Sequence, residues 1–129
     1  MNDVEGIAQL IKSNDYGQLS HIVHGNPELV HIPTSQGISL LQYAAYCRNS
    51  YAVNLIRLYK KEINAFEAAS IGAKEKLLEH LESDPSIVNT YSADGYTLLG
   101  LAAFFDHLDI ARSLLDKNAD PNLPAKNVM

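Results

Sequence analysis

The most informative part of this sequence is residues 94–122, DGYTLLGLAAFFDHLDIARSLLDKNADPN. After a polar start around Gly95, the apolar residues recur at helical spacing and do not alternate. One stripe consists of Leu98, Leu99, Ala102 and Ala103, and a second consists of Leu108, Ile110, Ala111, Leu114 and Leu115. The pattern predicts a turn followed by two short helices.

The chain contains an internal duplication with a period of 58 residues. A shift of that length aligns Leu19 with Leu77, Pro27 with Pro85, Val30 with Val88, Gly37 with Gly95, Leu40-Leu41 with Leu98-Leu99, and Ala44-Ala45 with Ala102-Ala103. A repeat at a fixed period is typical of proteins built from stacked structural units. The two halves, about residues 7–64 and 65–122, therefore share one design.

Each half divides again with a period of 34 residues. Ala68-Ala69 precedes Ala102-Ala103 by 34 positions, and Leu10-Ile11 precedes Ala44-Ala45 by the same distance. Small residues let neighbouring helix pairs pack closely and share a core. The sequence thus predicts one domain of four helix-pair units, at about residues 3–31, 32–63, 64–89 and 90–122, with a tail at 123–129. Gly-containing turns at 33–37 and 91–95 precede the second and fourth units.

Two residue pairs have the spacing of capping boxes, in which a side-chain oxygen accepts a hydrogen bond from a first-turn amide. They are Ser39 with Gln42 and Asn64 with Glu67. Both predict where a helix begins. Gly100 falls inside a predicted helix, where it should cost up to about 1 kcal/mol relative to alanine.

These units resemble the ankyrin repeat. The fourth unit carries the strongest likeness, in Asp94-Gly95, Thr97-Leu98-Leu99-Gly100-Leu101-Ala102-Ala103, His107, Leu114-Leu115 and Asn118-Ala119-Asp120-Pro121-Asn122. The resemblance implies an all-α solenoid of about four helix-pair units with two β-turn hairpins. The family's Pro and His are replaced by Leu98 and Gly100 here, so a less stable array is expected. The longer loop at 84–86 resembles those of bacterial members.

Composition excludes several function classes. A net charge of −5 with scattered Lys and Arg opposes nucleic-acid binding, and Lys60-Lys61 is interpreted as a solvated helix end. The one cysteine, Cys47, excludes an intramolecular disulfide and a cysteine zinc cluster. Neither a signal sequence nor a membrane-spanning run is present, so a cytoplasmic location and no membrane partner are predicted.

No catalytic site and no cofactor are predicted. His21 and His24 are three residues apart with His31 nearby, but a solvent-facing pair is favoured over a metal site. His107 matches the family's turn histidine, which the resemblance expects to hydrogen-bond locally. Cys47 is interpreted as a packed, inert thiol because the sequence fixes no partner for it. A small metal-binding protein remains a weaker alternative.

The predicted function is protein binding. The resemblance places the turn tips and the residues after each alanine pair on a concave surface, and exposed aromatic rings are typical of recognition sites. The candidate partner-binding residues are Ile38, Tyr46, Ile71, Tyr91, Asp94, Tyr96, Phe104 and Phe105. One of the two phenylalanines is expected to pack between units. Acidic residues at the rim, Asp94, Asp106 and Asp109, favour a partner with basic residues.

The last residues, from Asn122 onward, are similar to the entry of a further turn with no helix pair after it. Two explanations stay open: the chain is a regulatory or capping segment of a longer protein, or the last helix pair has an apolar flank that a partner or a second copy covers. Terminal repeats normally have polar outer faces. Self-association through this C-terminal flank is therefore a further prediction.

Overall fold

The computed structural model of the chain describes residues 3–126, and these form helices and turns without a strand. Eight α-helices are present among them: α1 Val4–Ser13, α2 Tyr16–Gly25, α3 Leu40–Tyr46, α4 Ser50–Tyr59, α5 Ala65–Ile71, α6 Lys74–Ser83, α7 Leu98–Phe104 and α8 Leu108–Asp116. Two 3-10 helices follow α2 and α6, at Pro27–His31 and Pro85–Asn89. The prediction of an all-α chain built from four helix pairs is confirmed.

The chain divides into two compact units, the first ending at Glu62 and the second beginning at Ile63. In unit 1, α1 packs on α2, α3 packs on α4, and the two pairs meet through α1 with α3 and α2 with α4. In unit 2, α5 packs on α6, α7 packs on α8, and α5 contacts α7. The finer repeat boundaries and the single domain stay predictions.

The core of each unit consists of the residues that carry the repeat pattern. Unit 1 buries Ile11, Leu41, Ala44 and Ile56 completely, and unit 2 does the same with Ala68, Ala69, Leu98, Ala102 and Leu114. The two alanines of the fourth pair differ in burial, since Ala102 is buried and Ala103 is exposed. Close packing of the first helix of the fourth pair therefore depends on Ala102.

The helix starts follow the predicted caps. Asn64 and Glu67 form a complete capping box, with Glu67 N donating to Asn64 Oδ1 at 2.8 Å and Asn64 N donating to Glu67 Oε1 at 2.9 Å. Ser39 Oγ accepts from Gln42 N at 3.1 Å. Thr97 Oγ1 accepts from Gly100 N at 3.0 Å, so Gly100 lies in the first turn of α7. The helix starts predicted at Ser39 and at Asn64 are confirmed.

The turns before α3 and α7 have the same hydrogen bonds, 58 residues apart. Thr34 N donates to Ile38 O and Gly37 N to Thr34 O; in the second turn Ser92 N donates to Tyr96 O and Gly95 N to Ser92 O. Gly95 adopts φ 87°, which a residue with a side chain rarely does. An isolated antiparallel bridge joins Tyr91 to Thr97. Each turn thereby places its tip beside the start of the helix that follows.

Candidate functional site

The eight predicted partner-binding residues lie at turns and at the ends of the first helices of three pairs. Unit 1 contains Ile38 in its turn and Tyr46 at the end of α3; unit 2 contains Ile71 at the end of α5, Tyr91, Asp94 and Tyr96 around its turn, and Phe104 and Phe105 at the end of α7. Six of the eight therefore belong to unit 2. That unit is where the structure brings several of them together.

Tyr96 and the two phenylalanines form an aromatic cluster. The ring centroids of Tyr96 and Phe104 are 5.9 Å apart at an interplanar angle of 40°, and those of Phe104 and Phe105 are 5.0 Å apart at 85°. Tilted and edge-to-face arrangements at these distances are favourable. The short helix α7 begins beside the turn and ends at Phe104, so contact between Tyr96 and Phe104 connects the turn with the helix end.

The two phenylalanines differ in exposure. Phe104 is 48% exposed, whereas Phe105 is 7% exposed and lies against the His107 ring, with centroids 6.4 Å apart. Phe105 therefore has too little accessible surface to contribute much to a partner contact. Its ring packs against the ring of Phe104. The sequence prediction that one of the pair packs in the structure left open which one, and the packed residue is Phe105.

His107 holds the end of the fourth pair against the third. Its Nε2 is 3.1 Å from the Ser70 carbonyl oxygen, at the end of α5. The expected hydrogen bond of this histidine is therefore not local: its partner is 37 residues away in sequence. Sequence spacing could not reveal it, because only the packing of α7 on α5 brings the two residues together. The contact fixes the segment that carries Phe104.

Tyr91 has a different environment from the aromatic cluster. Its hydroxyl donates to the Pro124 carbonyl at 2.8 Å, and Lys126 Nζ lies 4.2 Å from the centroid of its ring. Lys126 N also donates to Gly95 O at 2.7 Å. Residues 123–126 thus lie along the turn and cover part of Tyr91. No sequence pattern indicated this contact.

Acidic side chains flank the cluster. Asp94 accepts a hydrogen bond from the Ser92 hydroxyl within the turn, and Asp106 is exposed directly after Phe105, with φ 66°. The Oδ1 of Asp109 accepts from the Ile110 amide at 2.8 Å. Asp94 therefore lies on the turn before α7, Asp106 on the turn after it, and Asp109 in the first turn of α8.

The candidates of unit 1 are half-buried. Ile38 and Tyr46 each retain partial exposure, and Cys47, a free thiol, is half-buried at the end of α3. Burial raises the pKa of the Tyr43 hydroxyl above its ordinary value, and the neighbouring Cys47, which hydrogen-bonds to it, raises it further. No sequence pattern indicated a role for Tyr43. It gives Cys47 a local partner in the packing of α3.

The histidines of α2 do not form a ligand set. His24 Nδ1 hydrogen-bonds to the Tyr59 hydroxyl, and the two rings meet edge to face with centroids 5.5 Å apart. His21 and His31 are exposed. Within residues 3–126, no three His, Cys, Asp or Glu side chains are grouped so that they could hold a metal ion.

No helix in the described part of the chain has the length and apolar character needed to span a membrane.

Comparison with known proteins gives one family match. Residues 94–126 match the sequence model of the Ankyrin repeat family. The matched segment contains the turn with Asp94 and Tyr96, both helices α7 and α8, and Lys126. None of the curated proteins matches the chain.

Proposed function

We propose that this chain, whose residues 94–126 match the Ankyrin repeat family and whose helix pairs are consistent with that fold, is a non-enzymatic protein-protein interaction module. Ankyrin repeats are generic protein-binding units. The proposed surface comprises the turns and the ends of the first helices, and its centre is the contact between Tyr96 and Phe104 in unit 2. Ile71 belongs to this proposed surface of unit 2 at a half-buried position. In unit 1, taken by itself, the half-buried Ile38 and Tyr46 are proposed contact residues.

The observation that carries this proposal is the exposure of Phe104. Phe104 is 48% exposed although its ring packs on Tyr96 and on the buried Phe105. A large aromatic side chain held in place by its neighbours loses little conformational freedom on binding, and aromatic anchors of this kind dominate protein interfaces. The proposed role of Tyr91 is smaller, since residues 124 and 126 already contact it.

Affinity capture with matched variants tests the proposal. The immobilised protein is incubated with a lysate of its source cell, in parallel with Phe104→Ala, Tyr96→Ala and the control Leu58→Ala. Leu58 is 57% exposed on α4 and lies outside the proposed surface. We expect one or more partners to be lost with the first two variants and kept with the control. If all three variants capture the same proteins as the wild type, the surface is wrong.

A second contact is proposed on α8, where Leu108 is 60% and Leu115 is 46% exposed. These side chains are seven residues apart on one helix, so they lie on the same face. An apolar face of this kind favours self-association or coverage by a neighbouring segment of a longer protein. Analytical ultracentrifugation of the chain tests self-association. A monomer at all concentrations would rule it out.

The proposed location is the cytoplasm, and the proposed origin is bacterial. A single cysteine fits a reducing compartment. The 3-10 segment Pro85–Asn89 after α6 corresponds to the longer loop that resembles bacterial ankyrin proteins.

A further inference from the structure

The negative charge of this protein is concentrated in one of its two units. Residues 1–62 contain five acidic and five basic side chains, while residues 63–129 contain ten acidic and five basic ones. The whole formal charge of −5 therefore belongs to unit 2. The aromatic cluster belongs to the same unit, whose net negative charge favours the approach of a basic partner.

Two acidic residues belong to the two segments that supply the contacting rings of Tyr96 and Phe104. We call Asp94, Tyr96, Phe104 and Asp106 the acidic aromatic surface. Asp94 is in the turn with Tyr96, its carboxylate held by the Ser92 hydroxyl, and Asp106 follows the end of α7. Because Tyr96 and Phe104 are in contact, the surface has a continuous apolar centre. Its two carboxylates belong to the two segments that supply these rings.

The turn that carries Asp94 and Tyr96 also carries the Tyr91 ring, which has a basic side chain over its face. The Lys126 ammonium lies over the Tyr91 ring at 4.2 Å, while the backbone of Lys126 is bonded to the turn at Gly95. The face of an aromatic ring attracts a cation, and a surrounding negative field strengthens the attraction. The turn before α7 thus already binds one basic side chain of its own chain.

We propose that the partner of the acidic aromatic surface is a basic protein segment, in which a Lys or Arg side chain lies beside an apolar one. This inference rests on the proposed function and specifies its partner. The apolar side chain packs on Phe104 and Tyr96, and the cation lies over a ring within reach of Asp94 or Asp106. An acidic segment is repelled by the same two carboxylates.

A random dodecapeptide display library, selected on the immobilised full chain at low salt, is the probe. We expect the selected peptides to be enriched in Lys and Arg and depleted in Asp and Glu relative to the unselected library. Synthesised peptides should bind at least tenfold more weakly to Phe104→Ala. They should bind several-fold more weakly to Asp94→Asn and Asp106→Asn, and lose affinity as salt rises.

The variants are chosen to keep the fold. Asparagine at 94 can still accept the bond from Ser92, and asparagine at 106 tolerates the left-handed backbone that Asp106 adopts. Glu79→Gln is the charge control, because Glu79 is exposed on α6 and lies outside the surface. Leu58→Ala is the control for the loss of an exposed apolar side chain.

The outcomes separate this inference from the proposed function. Neutral or acidic peptides that depend on Phe104 overturn the basic partner and leave the binding surface in place. Basic peptides weakened equally by Glu79→Gln and Asp94→Asn, and unaffected by Phe104→Ala, indicate general charge attraction and overturn the inference. If no selected peptide depends on Phe104, both proposals fail.

Discussion

At the scale of single residues, Gly72 is a position where the addition of one methyl group should lower stability. It ends α5 with φ 84°, and a Cβ added there would lie 2.8 Å from Cε1 of His107. Gly72→Ala must therefore place a side chain in the left-handed region and displace the imidazole. We expect unfolding free energy to fall by about 1–3 kcal/mol, measured by urea denaturation.

Gly25→Ala is the matched control, since Gly25 is the last residue of α2 and nothing lies within 4 Å of the position of its Cβ. That substitution should be neutral or raise stability by up to about 1 kcal/mol, because alanine loses less backbone entropy in a helix. Equal stability of the two variants would contradict the role given to the contact between Gly72 and His107.

Sequence reasoning at this scale succeeded for local contacts and failed for distant ones. The capping box of Asn64 and Glu67 spans three residues, so its spacing alone predicts it. The hydrogen bond from His107 to Ser70 and the contact of Lys126 with Tyr91 join residues more than 30 positions apart. Contacts of that kind depend on how helix pairs pack, and the sequence has no periodic signal for them.

At the scale of helices, the residues that precede the second helix of each pair share a similar backbone conformation. They differ in whether their side chains cap the helix. Asp15 before α2 and Asn49 before α4 accept from Gln18 N and Ala52 N. Ala73 precedes α6 with φ −84° and ψ 76°, close to the φ −83° and ψ 80° of Asp15, and has no side-chain cap. The third pair therefore lacks a stabilising hydrogen bond that the first pair has.

Ala73→Asp should supply the missing cap. Its carboxylate can accept from a first-turn amide of α6 and interacts favourably with the helix dipole. We expect a gain of about 0.5–1 kcal/mol in unfolding free energy, and a loss of about 0.5–2 kcal/mol for the reciprocal Asp15→Ala. Chemical denaturation measures both. A destabilised Ala73→Asp would show that the backbone similarity does not extend to the side-chain environment.

The helix positions themselves were predictable because their signals are local and repeated. The 58-residue duplication marks the paired turns, α3 with α7, and α4 with α8, and the structure has each of them. The exposure of single positions was harder to predict. Phe104 and Phe105 are adjacent and identical, but Phe105 continues the buried stripe of Leu98, Leu101 and Ala102 and lies against His107, whereas Phe104 falls outside that stripe.

At the scale of the whole molecule, the duplication provides a pair of matched core positions. Ile56 on α4 and Leu114 on α8 are 58 residues apart, and both are completely buried. Each replacement by alanine leaves a cavity and should cost about 2–5 kcal/mol. In repeat proteins the unfolding free energy is close to a sum of local terms, so the loss of stability need not be shared evenly along the chain.

We expect Ile56→Ala to accelerate amide hydrogen exchange mainly in α1–α4, and Leu114→Ala to do so mainly in α5–α8. The reason is that the main helix contacts of α4 and of α8 are with helices of their own unit, and local opening follows the contacts that are lost. Exchange followed by mass spectrometry at peptide resolution separates the two regions. If either variant raises exchange equally in all eight helices, the units unfold together and the division at Glu62 has no energetic counterpart.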